Sequence, residues 1–171
     1  MRGLAALAIV TGVAGAVCFA GTEAPQRRPF PEIQLLDAKG GVQNLKSALG
    51  RATILNFWAT WCGPCRLELP ELQQVYNEMA GAGIVVLAVN VDSPREQVGP
   101  FLKRANLSLP VFFLDEDTEA TLGIRSLPTT ILLDGEGKIV NVWGGYSREG
   151  IQQLRQQAES LLAQARGRGG K

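Results

Sequence analysis

Residues 56–65 read NFWATWCGPC, an apolar run that ends in two cysteines spaced three positions apart. The stretch 52–59 is rich in β-branched and aromatic residues and predicts a strand, whereas the residues after the cysteines are patterned as a helix. Two thiols at this spacing in the first turn of a helix can close a small disulfide without unfolding the chain. They can also exchange electrons with the disulfide of another protein. The sequence therefore predicts a redox centre at a strand-to-helix junction.

The residues between and around the two cysteines suit this chemistry. Cys62 is expected at the helix N-terminus, where unpaired N–H groups and the positive end of the helix dipole stabilise a nucleophilic thiolate. Gly63 leaves that nucleophile unobstructed, and Pro64 fits the first helical turn, where a missing N–H costs no hydrogen bond. Cys65, one turn into the helix and buried, is predicted to resolve a mixed disulfide.

Two other uses of the cysteine pair are disfavoured. A zinc site would need further ligands, but the chain has no second CxxC motif and no histidine. A purely structural disulfide across three residues would restrain little chain entropy. We therefore predict neither a metal nor another cofactor.

Length and charge bound the organisation of the chain. Its 171 residues, 46% of them hydrophobic, are enough for one full-sized core but not for a second typical domain. A net charge of +1, from 17 basic and 16 acidic residues, leaves no electrostatic footprint for a nucleic acid. The basic, glycine-rich residues 167–171 are expected to form a flexible tail.

The N-terminus has the layout of an export signal. Residues 3–21 are uncharged and follow Arg2, as in a secretory signal peptide, and cleavage after Ala20 is acceptable. The same stretch is about 20 residues long, which would also suit an uncleaved membrane anchor. Cys18 raises the possibility of lipidation, but residues 15–17 lack a lipobox pattern, so an incidental cysteine is preferred. We expect an exported chain with a signal or anchor at 1–21, a linker at 22–29 and a folded domain at 30–166.

Apolar patterning predicts the elements of that domain. A proline at position 70 should kink the helix that carries Cys65, and Ser93 should cap a second helix that ends near Ala105. That second helix should turn Val98, Phe101, Leu102 and Ala105 inward. The expected elements are a hairpin from 33–36 and 42–45, a strand at 53–59, a buried strand at 84–91, a strand at 111–114, a helical turn at 120–123, a hairpin from 129–133 and 139–143, and an amphipathic helix at 147–165.

Three separated parts of the sequence resemble the thioredoxin superfamily in the right order: 56–65, Pro70, and 123–129 with the sequence GIRSLPT. Within it, the chain resembles the TlpA/ResA group of exported, often membrane-anchored thiol-disulfide oxidoreductases. The resemblance implies an α/β thioredoxin-like fold, a central mixed sheet flanked by helices. It also implies an N-terminal β-hairpin and an inserted helix and strand between Val91 and Gly123.

The resemblance also implies roles for single residues. Pro128 takes the place of the family's cis-proline, which packs against the cysteine pair, and the substrate groove would consist of Trp61, Gly63, Pro64, Leu127 and Thr129. Asn56 stands where thioredoxin has a buried acid, and it cannot ionise. Glu68, one turn beyond Cys65, corresponds to an acidic residue of the ResA-like group and becomes the candidate for proton transfer. A solvated helix glutamate is the alternative interpretation.

The resulting hypothesis is an exported reductase that exchanges its dithiol with protein disulfides. By resemblance, its substrates would be apocytochrome c thiols or a copper chaperone of oxidase assembly. A membrane protein of the CcdA/DsbD type would supply electrons. The direction of transfer depends on the reduction potential and stays open. Two rivals remain: a peroxiredoxin-like peroxidase, against which the CxxC argues, and a non-enzymatic Cu(I) metallochaperone.

Overall fold

The computed structural model describes residues 27–92 and 94–168, which form a mixed sheet with helices on both faces. The strands are β1 (Gln34–Asp37), β2 (Val42–Asn44), β3 (Ala52–Trp58), β4 (Ile84–Asn90), β5 (Val111–Phe113), β6 (Thr129–Asp134) and β7 (Ile139–Gly144). The helices are α1 (Gly63–Met79), α2 (Val98–Arg104), α3 (Glu116–Leu122) and α4 (Arg148–Arg168). The strand order is β2-β1-β5-β4-β3-β6-β7. The predicted thioredoxin-like α/β architecture is confirmed.

Strand β3 is the centre of the sheet and carries the cysteines at its far end. It pairs in parallel with β4 and antiparallel with β6, and every one of its residues is buried. Side chains alternate between the two faces of a strand. Ile54 and Trp58 accordingly pack in the core on one face, and Leu55 and Phe57 pack in the core on the other. Asn56 has the same parity as Ile54 and Trp58.

The face that contains Ile54 and Trp58 is covered by α1, α2 and α4. Helix α4 buries the five apolar residues that its sequence spacing predicted, which are Ile151, Leu154, Ala158, Leu161 and Leu162. The opposite core packs against Leu122 at the end of α3 and against residues near the N-terminal hairpin, such as Ile33 and Leu45. The cysteine pair belongs to the first core, beneath α1.

The N-terminal hairpin joins the sheet through the inserted strand β5. Strand β1 pairs antiparallel with β5, with Leu36 opposite Phe113, and β5 pairs in parallel with β4, with Ala88 opposite Val111. The hairpin and the insertion predicted from the sequence therefore form one continuous extension of the sheet.

The second and third helices differ from the sequence prediction. Pro94 is extended, with φ −79° and ψ 156°, so a short 3₁₀ turn and α2 begin only after it, and Ser93 lies outside the described residues. Ala105 is exposed rather than inward because α2 ends at Arg104. Helix α3 is longer than the predicted turn because Asp115 caps it, accepting from the N–H of Thr118.

The described residues extend past both ends of the predicted domain at 30–166. Helix α4 continues to Arg168, two residues beyond the predicted domain boundary, and residues 169–171 lie outside the description. The predicted export segment at 1–21 and most of the predicted linker also lie outside it. Within 27–92 and 94–168, no helix is long and apolar enough to cross a membrane.

Leu154→Ala tests the packing of α4. Leu154 is 1% exposed, so its truncation should lower the free energy of unfolding by about 2–5 kcal/mol, as for other buried leucines. Gln152→Ala on the exposed side of α4 is the control and should change it by less than about 0.5 kcal/mol. Urea unfolding followed by circular dichroism measures both, and equal effects would contradict the packing described for α4.

Candidate active site

The loop after β3 places Cys62 at the N-terminus of α1. Cys62 is the residue that caps the helix, with φ −78° and ψ 110°, and its Sγ accepts from the N–H of Cys65 at 3.2 Å. Its own N–H donates to the carbonyl of Ala59 at 3.2 Å. Cys62 and Cys65 are joined by a disulfide, with their Cα atoms 5.3 Å apart. A thiolate released at Cys62 would lie at the positive end of a helix of 17 residues.

The two cysteines differ in access to solvent. Cys65 is fully buried, whereas Cys62 is 5% exposed and borders a cleft of about 580 Å³. Trp61 stands at the edge of this cleft and is 66% exposed. The residues that line the cleft are Trp61, Cys62, Gly63, Pro64, Val91, Glu119, Ile124, Arg125, Ser126 and Leu127. A partner's sulfur can therefore approach Cys62 from this cleft while Cys65 stays covered.

The segment opposite the cysteines contains a cis peptide bond between Leu127 and Pro128, as expected from the resemblance. Leu127 lines the cleft, while Pro128 is buried and its carbonyl accepts from the N–H of Gly145 at 2.7 Å. Thr129, predicted as part of the groove, is not among the lining residues. Thr129 is already the first residue of β6, and its hydroxyl donates to the carbonyl of Ser126 at 2.7 Å.

Glu68 is buried under α1 and held by two neutral side chains. It is 2% exposed, which excludes the interpretation as a solvated helix glutamate. Asn56 on β3 donates from Nδ2 to Glu68 Oε2 at 2.7 Å, and Thr130 on β6 donates from Oγ1 to Glu68 Oε1 at 2.9 Å. Asn56 Nδ2 also donates to Thr130 Oγ1 at 2.9 Å. The three side chains form a closed polar cluster one helical turn from Cys65.

Burial controls the acidity of this cluster. The pKa of Glu68 is raised from an ordinary value of 4.5 to about 7, mainly by loss of hydration and to a smaller extent by the negative charge of the nearby Glu71. The hydrogen bonds from Thr130 and Asn56 oppose this effect because they favour the ionised form. A carboxyl group with a pKa near 7 exchanges protons readily at neutral pH.

Two buried side-chain polar atoms have no hydrogen-bond partner among the described residues. They are Oδ1 of Asn56 and Nε1 of Trp58. Trp58 is otherwise a packing residue: it is fully buried and its ring centroid lies 5.5 Å from that of Phe101. Nε1 of Trp58 therefore has no role in the exchange chemistry. Oδ1 of Asn56, in contrast, is an acceptor within the Glu68 cluster that has no donor among the described residues.

Sequence reasoning missed two members of the site. The sequence prediction names Thr129 and not its neighbour Thr130. Adjacent residues of a strand point to opposite faces, so only one of the two can reach Glu68, and that residue is Thr130. Asp92 is 4% exposed and accepts from the N–H of Thr60, just before the cysteines. Its position just after a buried strand could have indicated this role, because a carboxylate buried there needs hydrogen-bond donors.

Comparison with known proteins places these residues in a family. The AhpC/TSA family model matches residues 27–146. Thiol-disulfide oxidoreductase ResA of Geobacillus thermodenitrificans is 35% identical over 125 residues, which is 72% of each chain. ResA of Bacillus subtilis is 35% identical over 136 residues, covering 78% of this chain and 75% of the relative.

Solved structures agree with the sequence relatives. A crystal structure from Chlorobium tepidum, named as a thiol:disulfide interchange protein DsbE, superposes with a TM-score of 0.72 and 30% identity. It covers 82% of this chain and 99% of that one. StoA from Bacillus subtilis superposes with a TM-score of 0.60 at 27% identity, covering 74% and 95% of the two chains.

Limiting iodoacetamide tests the difference in access between the two thiols. In the reduced protein, Cys62 should be labelled about ten times faster than Cys65, because it is accessible and its thiolate is stabilised by the helix N-terminus. Peptide mass spectrometry separates the two products and also any label on Cys18. In guanidinium chloride the two rates should become similar. Faster labelling of Cys65 in the folded protein would reverse the assignment.

Glu68→Gln tests the protonation of the buried carboxyl group. The pKa of Glu68 is higher in the folded than in the unfolded state, so folding binds a proton between about pH 4.5 and 7. The free energy of unfolding of the wild type should fall across this range and then level off. One pKa unit corresponds to about 1.4 kcal/mol, so the loss relative to Glu68→Gln should approach about 3 kcal/mol.

Urea unfolding at pH 4.5, 6 and 7.5 measures this dependence. Glu159→Gln is the matched control, since it makes the same change at an exposed position on α4. It should leave the wild-type slope in place. A wild-type slope retained in Glu68→Gln would show that another group titrates.

Proposed function

The chain belongs to the AhpC/TSA family and is a thiol-disulfide oxidoreductase of the ResA and DsbE type, and we propose that it acts as an exported reductant of protein disulfides. The observation that carries this proposal is the asymmetry of the cysteine pair. Cys62 borders an open cleft, while Cys65 is fully buried next to a protonatable carboxyl group. Such a pair suits an attacking thiol and a resolving thiol, in that order.

The first half of the reaction takes place at Cys62. Its thiolate attacks one sulfur of a partner's disulfide, the partner's S–S bond breaks, and a mixed disulfide forms while the other partner sulfur leaves as a thiolate. The N-terminus of α1 stabilises the attacking thiolate. Trp61 and Leu127, on the walls of the cleft, would contact the partner's chain beside the reacting sulfur.

The second half takes place at Cys65. Its thiol loses a proton and attacks Cys62 Sγ, which releases the partner as a dithiol and closes the Cys62–Cys65 bridge. Two electrons have then passed from this protein to the partner. Glu68 lies one turn from Cys65 on the same helix, and we assign it the transfer of that proton because its pKa of about 7 matches neutral pH. Asn56 and Thr130 hold its two oxygens in place.

The cellular setting of this reaction rests on the sequence. The uncharged segment at 3–21 supports export to the periplasm or to the outer face of the cytoplasmic membrane, with a possible tether through this segment. A dithiol outside the cytosol needs an electron supply. A CcdA/DsbD-type membrane donor would provide it, and the electrons would pass to a disulfide formed by the apocytochrome c thiols or held by a copper chaperone of oxidase assembly, which becomes a dithiol.

Two rival functions fit the observations less well. A peroxidase of the peroxiredoxin type would use a threonine hydroxyl near its reactive cysteine. The hydroxyl of Thr60 donates to Asp92 at 3.1 Å, which engages it away from the cleft. A Cu(I) chaperone would hold its ion between the two thiolates alone, whereas the relatives of this chain are named thiol-disulfide oxidoreductases.

Single-cysteine variants test the proposed order of attack. With insulin as a disulfide probe and dithiothreitol as reductant, Cys62→Ser should abolish catalysed reduction. When prereduced protein is mixed with insulin in the absence of dithiothreitol, Cys65→Ser should still attack but should accumulate a mixed disulfide, because it has no second thiol to resolve it. Non-reducing gels and intact mass measure the trapped species.

Cys18→Ser is the control for these variants and should behave as the wild type in both assays. A trapped species on Cys62→Ser instead of Cys65→Ser would reverse the roles. Consumption of hydrogen peroxide by the wild type, faster than its reduction of insulin, would favour the peroxidase.

A further inference from the structure

A second buried polar cluster lies beside the loop that leads from β3 to the cysteines. It is formed by Asn90, the last residue of β4, and by Asp92, two residues later; they are 2% and 4% exposed. Nδ2 of Asn90 donates to Oδ2 of Asp92 at 2.8 Å, and Oδ1 of Asn90 accepts from the N–H of Asp92 at 3.0 Å. Neither residue takes part in the exchange chemistry proposed above.

The carboxylate of Asp92 is committed to Thr60. Its Oδ2 accepts from the N–H of Thr60 at 2.8 Å, and its Oδ1 accepts from the Thr60 hydroxyl at 3.1 Å. Gln97 Nε2 donates to Oδ1 at 3.5 Å. All of these partners are neutral groups. The burial of a carboxylate is tolerated when several hydrogen bonds replace its water, and here two of the bonds converge on one residue of the loop.

The loop is fixed on its other side as well. Arg66 on α1 donates from Nε to the carbonyl of Thr60 at 2.9 Å, so the N–H, hydroxyl and carbonyl of Thr60 are all engaged. Trp58, at the start of the loop, accepts from the N–H of Val91 at 2.9 Å. Only Trp61 separates Thr60 from Cys62. The backbone is therefore fixed at Thr60, two residues before Cys62.

We propose that Asp92 is a positioning residue for the redox pair: by clamping Thr60, it holds Cys62 close to Cys65 and so favours the disulfide over the dithiol. A thiol held near its partner has a high effective concentration, which stabilises the bridge and makes the dithiol a stronger reductant. Loss of the clamp frees the loop, lowers that concentration and makes the bridge easier to reduce. This inference rests on the proposed exchange function.

The test is the equilibrium of the Cys62–Cys65 bridge with glutathione, in which two glutathione thiols reduce the bridge and one glutathione disulfide forms. Asp92→Asn removes the charge that strengthens the bonds to Thr60, and Thr60→Val removes the hydroxyl while nearly keeping the side-chain volume. Each should shift the equilibrium constant about tenfold toward the dithiol, the effect expected from one charge-assisted hydrogen bond. Thr60→Ser should return it to within about twofold of the wild type.

Asp134→Asn is the matched control, because Asp134 is likewise an aspartate that accepts from backbone N–H groups, those of Glu136 and Lys138, but in the β6–β7 turn. It should leave the constant within about twofold of the wild-type value. Unfolding by urea is measured for every variant. If Asp92→Asn does not fold, Thr60→Val decides alone.

Two outcomes have opposite meanings. A shifted equilibrium in variants that still fold supports the positioning role. A lowered free energy of unfolding with an unchanged glutathione equilibrium, in Thr60→Val or in both variants, would show that Asp92 is only structural and would overturn the inference. The measurement needs no protein substrate, so that result would leave the proposed reductase function standing. Failure of the wild type to reduce insulin would count against the proposed function instead.

Discussion

The hydrogen-bonded burial of Glu68 ties together the elements on which the site depends. A carboxyl group under a helix and over a sheet loses its hydration, and it is retained there only when other groups replace the lost water. Asn56 from β3 and Thr130 from β6 do so, each with a single bond to one carboxylate oxygen. The register between β3 and β6, which pairs Asn56 with Thr130, makes both donors available at one point. Helix α1, and with it Cys65, is thereby set on the two central strands by polar as well as apolar contacts.

The inserted strand β5 has a comparable effect between β4 and the N-terminal hairpin. It pairs with β4 on one side and with β1 on the other, so the N-terminal hairpin depends on the insertion for its attachment. The chain then passes through α3 to the cis peptide bond before Pro128. Glu119 from α3 and Arg125 from the following loop reach the cleft beside Cys62. The insertion therefore supplies both the support for the hairpin and part of the wall that a partner would contact.

The chemistry-bearing residues were predictable where local pattern and function coincide. The spacing of Cys62 and Cys65, the buried run of β4 and the apolar stripe of α4 each carry their own signal. The sequence singles out Asn56 and Glu68 separately but does not predict that they are partners. Nothing local shows that residues 12 positions apart share a hydrogen bond. Thr130 and Asp92 were missed for the same reason: their partners come from other strands and loops. The error at Ala105 had a local cause, since α2 ends at Arg104, one residue before it.

Residues 28–30, near the start of the described chain, lie at the end of the sheet that is remote from the cysteines. The N–H of Phe30 donates to the carbonyl of Gly137, and the N–H of Ile139 donates to the carbonyl of Arg28. These residues are therefore hydrogen-bonded to the β6–β7 turn. That turn lies beside Ala52, where β3 starts, whereas Cys62 follows its other end at Trp58. Six strand steps of about 3.3 Å separate the two ends by about 20 Å. Residues 28–30 and the reactive sulfurs therefore lie at opposite ends of β3, and the cleft beside Cys62 is on the side of the sheet away from the start of the described chain.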